Sequence, residues 1–261
     1  MRWLALCLFF VPQLAAAQGA ADLSQALRLP ELARILSTEA VRTGGDIDAE
    51  MLGGEGGPVF AKQIEAINDP ARLSEEVATM LAGALSEADQ RAILAFTQSP
   101  QGQRAIELEL AARQAFLDPE VEAFARAQVD SGPHAAAIDR LIAAGDMVGQ
   151  NQETAVLTTE GFYRGLREGG AVDMSDAEIT DLAQEQAAGG EADTRDWLAA
   201  FFTLAYSPLP AEEMEVLVAF WETDVGLRFS DALYDAFDAA YGSRWFSMGQ
   251  AAALFLSAED I

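Results

Sequence analysis

Apolar residues recur along the chain at intervals of three and four, and alternating Val/Ile/Thr runs are almost absent, so the pattern predicts helices throughout. A first helix is expected from Asp22, carrying Leu23 and Leu27, and a second from Pro30, carrying Leu32, Ile35 and Val41. Gly44-Gly45 and the run Gly53-Gly54-Glu55-Gly56-Gly57 are expected to break the pattern, with Pro58 and Pro70 opening the next two helices. Ser86 with Asp89 fits a helix cap, with Ala92, Ile93 and Phe96 as the buried face behind it. Ser99-Pro100 reads as cap and first residue of another helix, with Gly102 placed for close approach of its predecessor. Asp118-Pro119 starts a helix with Val121 and Phe124, and Ser131-Gly132-Pro133 ends it. Ile138, Leu141 and Ile142 mark the next helix, and Phe162 and Leu166 one that starts near Met147. Asp173 to Ala188 reads as an acidic helix capped by Ser175 and Glu178 and closed by Gly189-Gly190. Trp197, Phe201 and Leu204 then share one helical face, and Phe229, Leu233, Phe237 and Tyr241 another. Aromatics at this spacing are expected to be core.

One stretch occurs twice. Leu85 to Arg104 (LSEADQRAILAFTQSPQGQR) aligns without a gap on Leu209 to Arg228 (LPAEEMEVLVAFWETDVGLR), so that Ala95-Phe96 falls on Ala219-Phe220, Gly102 on Gly226 and Arg104 on Arg228. Both read as an acidic helix start, an apolar helix ending in Ala-Phe, a short corner, a glycine and an arginine. The expected fold is all-α: two tandem pseudo-repeated helical halves packed as one compact unit. The halves are 18–132 and 133–261, after a leader of residues 1–17.

The first copy, AFTQSPQGQR, resembles the hallmark of the domain of unknown function 2059 family of exported bacterial proteins. It keeps Phe96, Ser99, Pro100, Gly102 and Gln103, with Thr97 in place of the usual tyrosine. The second, AFWETDVGLR, keeps Phe220 and Gly226, carries Trp221 in the tyrosine place, and replaces Ser-Pro by Thr223-Asp224, either of which can cap a helix. The resemblance implies two diverged copies of a small helical domain, export and no established activity. It brings no catalytic residues.

The start of the chain, MRWLALCLFFVPQLAAAQGA, has one arginine, a short apolar run from Trp3 to Val11 and small residues Ala15-Ala16-Ala17. That is the layout of a secretory signal peptide cleaved after Ala17, with the periplasm as destination and no stable membrane anchor left behind. Cys7, the only cysteine, lies in the part to be removed, so neither disulfides nor thiolate ligands are expected in the mature chain. The formal charge is -26 and Lys62 is the only lysine. Such a surface repels nucleic acid and anionic lipid. It attracts basic proteins, polyamines and divalent cations.

Candidate chemistry is sparse. His134 is the only histidine, and it reads as a surface residue at a helix start. Asp46, Asp48 and Glu50 alternate in the manner of calcium ligands, but without the calcium-hand order they read as a solvated acidic stretch. Ser99 is better explained as a cap than as a nucleophile, and Lys62 alone activates nothing evident. The pairs Glu75-Glu76 and Glu212-Glu213 could serve acid–base work on sugars, yet 42 acids supply such pairs by chance. The glycines at 53–57 follow no strand and precede no phosphate-binding lysine. Arg104 and Arg228 are the most notable polar positions, expected to pair with acids and lock the two corners or to hold a ligand carboxylate. No catalytic, cofactor or metal residue is assigned. The function expected is non-enzymatic interaction with another envelope protein, with a cell-wall glycoside hydrolase or a divalent-cation-binding protein as alternatives.

Overall fold

The computed structural model describes residues 11–256, and every regular element among them is an α-helix. In chain order these are α1 (Val11–Ala26), α2 (Leu29–Met51), α3 (Gly57–Ile67), α4 (Pro70–Ala84), α5 (Glu87–Thr97) and α6 (Pro100–Ala115). They continue with α7 (Pro119–Arg126), α8 (Ala135–Ala144), α9 (Met147–Glu168), α10 (Asp176–Tyr206), α11 (Ala211–Trp221) and α12 (Asp224–Leu256). The fold class is thus all-α. None of these helices is long and apolar enough to cross a membrane. Trp3 to Phe10, including Cys7, lie outside the described residues.

Side-chain caps set five of the helix starts. Asp69, Ser86, Ser99, Asp118 and Ser175 each accept a backbone N–H from the first turn of the helix that follows, and Ser175 with Glu178 completes a reciprocal box. Proline opens α2, α3, α4, α6 and α7, where its missing N–H costs no helical bond.

The structure corrects several expectations. The first helix is already formed at Val11, the first described residue, ahead of the expected start at Asp22, because nothing between Pro12 and Ala26 breaks it. Gly44-Gly45 and Gly189-Gly190 stop nothing: α2 and α10 pass straight through both pairs. A glycine inside a helix costs only about 1 kcal/mol, too little to end a helix that continues on both sides. At Gly44 the missing side chain is used, since a Cβ there would lie 2.7 Å from Ile64 Cγ2. On α5, Ala92 is exposed and Thr97 is buried in its place, and Phe124 on α7 projects into solvent.

Helix α12 is the spine. It packs along α9 and also touches α3, α4, α5 and α11. The α9–α12 crossing is close because glycines face each other: a Cβ on Gly165 would lie 3.0 Å from the Gly249 Cα. Three groups of buried side chains surround the spine. One joins α1, α2, α4 and α5 to α12 around Leu23, Leu81 and Ile93. A second joins α6, α8, α10 and α11 around Leu141, Tyr206 and Met214. The third joins α3, α9 and the end of α12 around Phe60, Leu166 and Met248.

The corners α5–α6 and α11–α12 use the same bonds. Ser99 Oγ donates to the Phe96 carbonyl (2.6 Å) and accepts from Gly102 N–H (3.1 Å). Thr223 Oγ1 donates to the Phe220 carbonyl (2.7 Å) and accepts from Gly226 N–H (3.0 Å). A Cβ on Gly102 would press on the Phe96 carbonyl and lie 2.8 Å from Thr97 Cα; on Gly226 it would press on the Phe220 carbonyl and lie 2.8 Å from Trp221 Cα. The two phenylalanines stack on one another, ring centroids 3.8 Å apart and planes at 3°. The arginines are exchanged: Arg228 bonds Asp89 at the start of α5, while Arg104 reaches Glu213 at the start of α11 at 3.6 Å.

Candidate functional site

Between α6 and α12, where the helices leave these corners, the chain leaves space. A partly enclosed cavity of about 350 Å³ lies there, walled also by the α1–α2 junction, α9, α10 and α11. Its surface is mainly hydrocarbon and aromatic ring, and its size is within the range of small-molecule sites. Leu27, Leu32 and Leu36 close one side; Trp197, Phe201 and Phe202 form another; Phe229, Leu233 and Phe237 come from α12. Several of these residues keep accessible surface although they are apolar and central, because that surface faces the cavity. The rings are held against each other rather than loosely gathered. Trp197 stacks on Phe201 at 5.3 Å, Phe202 on Tyr206 at 5.5 Å and Trp221 on Phe229 at 5.3 Å.

A few polar groups converge on this wall. Glu109, on α6, accepts a hydrogen bond from the Tyr206 hydroxyl of α10. The side chain is partly buried at the cavity wall, and burial pushes its pKa up to about 6 against the opposing effect of the Tyr206 bond. One helical turn on, Arg113 makes a two-pronged pair with Glu39 of α2 (2.7 and 2.6 Å) while its guanidinium lies 5.0 Å from the centre of the Trp197 ring. Across the cavity, Asn151 donates to the Tyr234 hydroxyl (2.8 Å) and Thr154 to Asp238 (2.6 Å), linking α9 to α12. Burial raises the Asp238 carboxyl above its ordinary value, and pushes the Tyr234 and Tyr241 hydroxyls up to about 12, so both phenols stay protonated.

Such a wall can bind an apolar body and orient one polar end. A second, wider groove between α9, α10 and α12 is open to solvent and lined by Gln152, Glu160, Arg164 and Gln184 among others. It encloses no comparable set of rings.

The residues singled out from sequence lie elsewhere. His134 starts α8 in a left-handed conformation (φ 69°) and its Nε2–H donates to the Leu209 carbonyl (2.9 Å), tying α8 to the start of α11. Asp48 accepts from Gly56 and Gly57 N–H (2.8 and 3.0 Å), so it organises the glycine-rich loop as an anchor for backbone. No group of three or more metal-ligating residue types gathers among the described residues. Glu76 pairs with the buried Arg244 at 2.7 Å and Glu213 with Arg104. Neighbours in one helix, as in Glu75-Glu76 and Glu212-Glu213, point about 100° apart and do not face a common point. Ser99 is a cap, and Lys62 is exposed on α3.

Sequence reasoning missed Glu109, Arg113, Tyr206, Asn151 and Asp238. It grouped the α12 aromatics correctly on one face but read that face as filled core. One signal was available: Glu109 interrupts the otherwise apolar positions Ile106 and Leu110 on the inner face of α6.

The class defined by fold and site is therefore an all-helical protein with an aromatic cavity between two corners. Its residues 71–128, spanning α4 to α7, match the model of a family described as an uncharacterized protein conserved in bacteria (DUF2059). No curated protein and no solved structure matches the chain.

Proposed function

We propose that this protein is a non-enzymatic binding protein that holds one small, largely apolar molecule in the cavity between α6 and α12. The observation that carries this reading is the partly enclosed aromatic cavity itself, since a well-packed interior leaves few voids larger than a water molecule. The two corners are read as diverged copies of one unit, supported by their shared cap, glycine and phenylalanine geometry and by their exchanged arginines. The cavity lies between the helices that follow those corners. Export to the periplasm belongs to the same proposal. It is supported by the leader-like pattern before Gln18 and is compatible with Leu23, beyond the cleavage point, being fully buried.

Titration with the uncharged fluorescent probe N-phenyl-1-naphthylamine tests the binding reading. Saturable, blue-shifted emission at one probe per chain is expected, and Ile106→Trp, which fills the cavity, should abolish it. Absence of saturable binding, or equal binding by I106W, overturns the reading. For export, the mature mass recovered from the periplasmic fraction should start at Gln18; recovery of the full-length chain from the cytoplasm alone would refute it.

A further inference from the structure

The polar groups of the wall specify a charge for the molecule that fits it. Arg113 is the only cation among the lining residues, and Glu39 occupies its Nε and Nη2 through both carboxylate oxygens. Two acids, Glu109 and Asp238, also line the cavity, and neither is paired with a basic side chain. Glu109 stands beside the rings, since its partner Tyr206 stacks on Phe202. One of its oxygens accepts from Tyr206, and the other has no hydrogen-bond partner among the described residues. An anionic ligand would add a like charge to this wall. A neutral donor, such as an alcohol, would satisfy the second Glu109 oxygen but leave its charge uncompensated. A cation fills both needs, and its charge also suits the faces of the surrounding rings, as the Arg113 guanidinium over Trp197 already does. The strongly negative chain attracts cations from solution.

We infer that the cavity takes an organic cation: a protonated amine on a short apolar or aromatic body, its nitrogen donating to Glu109 and its body lying among Phe201, Phe202 and Trp221. This rests on the cavity being a binding site, as proposed above, and adds the charge of the occupant. Asp238 is the nearest rival for the nitrogen. Each acid has one oxygen taken by a hydroxyl, but the Glu109 partner Tyr206 stacks on Phe202, which sets Glu109 beside the rings that hold the body.

Three competitors of one shape separate the alternatives: 4-phenylbutylamine, 4-phenylbutanol and 4-phenylbutanoate, each displacing N-phenyl-1-naphthylamine from the full chain at pH 7.5. The amine should displace the probe at about tenfold lower concentration than the alcohol, with the carboxylate weakest. Glu109→Gln, nearly the same shape, should bring the amine to the level of the alcohol. Asp238→Asn should preserve the amine's advantage. If E109Q does not fold, the wild-type series from pH 5 to 8 decides, because the advantage should vanish as Glu109 is protonated. Asp238 is the other acid on this wall, and Arg113 with Glu39, Tyr206, Tyr234 and Tyr241 are the remaining titratable groups around it. A D238N control separates the two acids in that series too.

Equal displacement by all three heads, or preference for the carboxylate, overturns the cation inference while leaving the binding reading intact. Loss of the amine's advantage in D238N but not in E109Q overturns the assignment to Glu109. Failure of the probe to bind at all defeats the underlying reading instead.

Discussion

The corner at α5–α6 and the corner at α11–α12 share their bonds, yet the helices that leave them have little in common. Each corner needs one hydroxyl to cap, one glycine to let backbone touch backbone, and one phenylalanine to stack on its counterpart. Serine and threonine do the first task equally well, so Ser99-Pro100 against Thr223-Asp224 changes nothing in the geometry. Beyond the corner, α6 ends at Ala115 and presents Glu109 and Arg113, whereas α12 runs to Leu256 and presents Leu233, Phe237 and Tyr241. The constraint at the corners is steric and local. Facing side chains across a cavity have no such constraint, and the two helices differ most on that face.

The largest effect should come from the corner glycines. Gly102→Ala and Gly226→Ala each drive a methyl into a backbone carbonyl that cannot move without unwinding its helix. Each should lose about 3 kcal/mol in urea unfolding, and by similar amounts. A large inequality between the two would show that the corners are alike in shape but unequal in tightness.

Glu109 should come next. Its pKa is raised on folding from the ordinary 4.5 to about 6, so the folded chain binds that proton more tightly than the unfolded chain. Its contribution therefore favours folding at low pH and is lost as pH rises between about 4.5 and 6, amounting to about 2 kcal/mol by pH 7. E109Q should remove that slope from a series of urea melts; an unchanged slope would place the carboxyl in water.

A double-mutant cycle with Phe96→Leu and Phe220→Leu should return a coupling of about 1 kcal/mol for the stacked pair joining the corners. Additive losses would mean that the rings merely fill space.

The smallest effect is expected from the exchanged arginines, and it should be unequal. Arg228 makes two hydrogen bonds to Asp89, holding that carboxyl below its usual range, whereas Arg104 meets Glu213 only at 3.6 Å. Arg228→Gln should lower the melting temperature at neutral pH and Arg104→Gln barely at all. Because the Asp89 pKa is lowered on folding, the R228Q deficit should be lost as pH falls through that depressed value, when Asp89 takes up its proton in either protein.

Much of the helical layout was legible because its signals are local. Proline at a first position, a hydroxyl or carboxylate cap and a three-four apolar period act within a few residues, and Ser99, Asp118 and Ser175 all sit where that chemistry requires. Glycine pairs misled for the opposite reason. Whether Gly44-Gly45 ends a helix depends on what lies against it, and Ile64 from α3 lies there.

The sequence alone thus determined that the chain is helical, where most helices begin, that two corners share a pattern, and which rings share a face on α12. Tertiary structure alone decided that those rings border space instead of filling it, that Glu109 faces that space with a phenol for company, and that Arg113 is taken up by Glu39. The physical reason is range. A cap or a period is fixed by neighbours along the chain, but a cavity is the volume left over when distant helices meet.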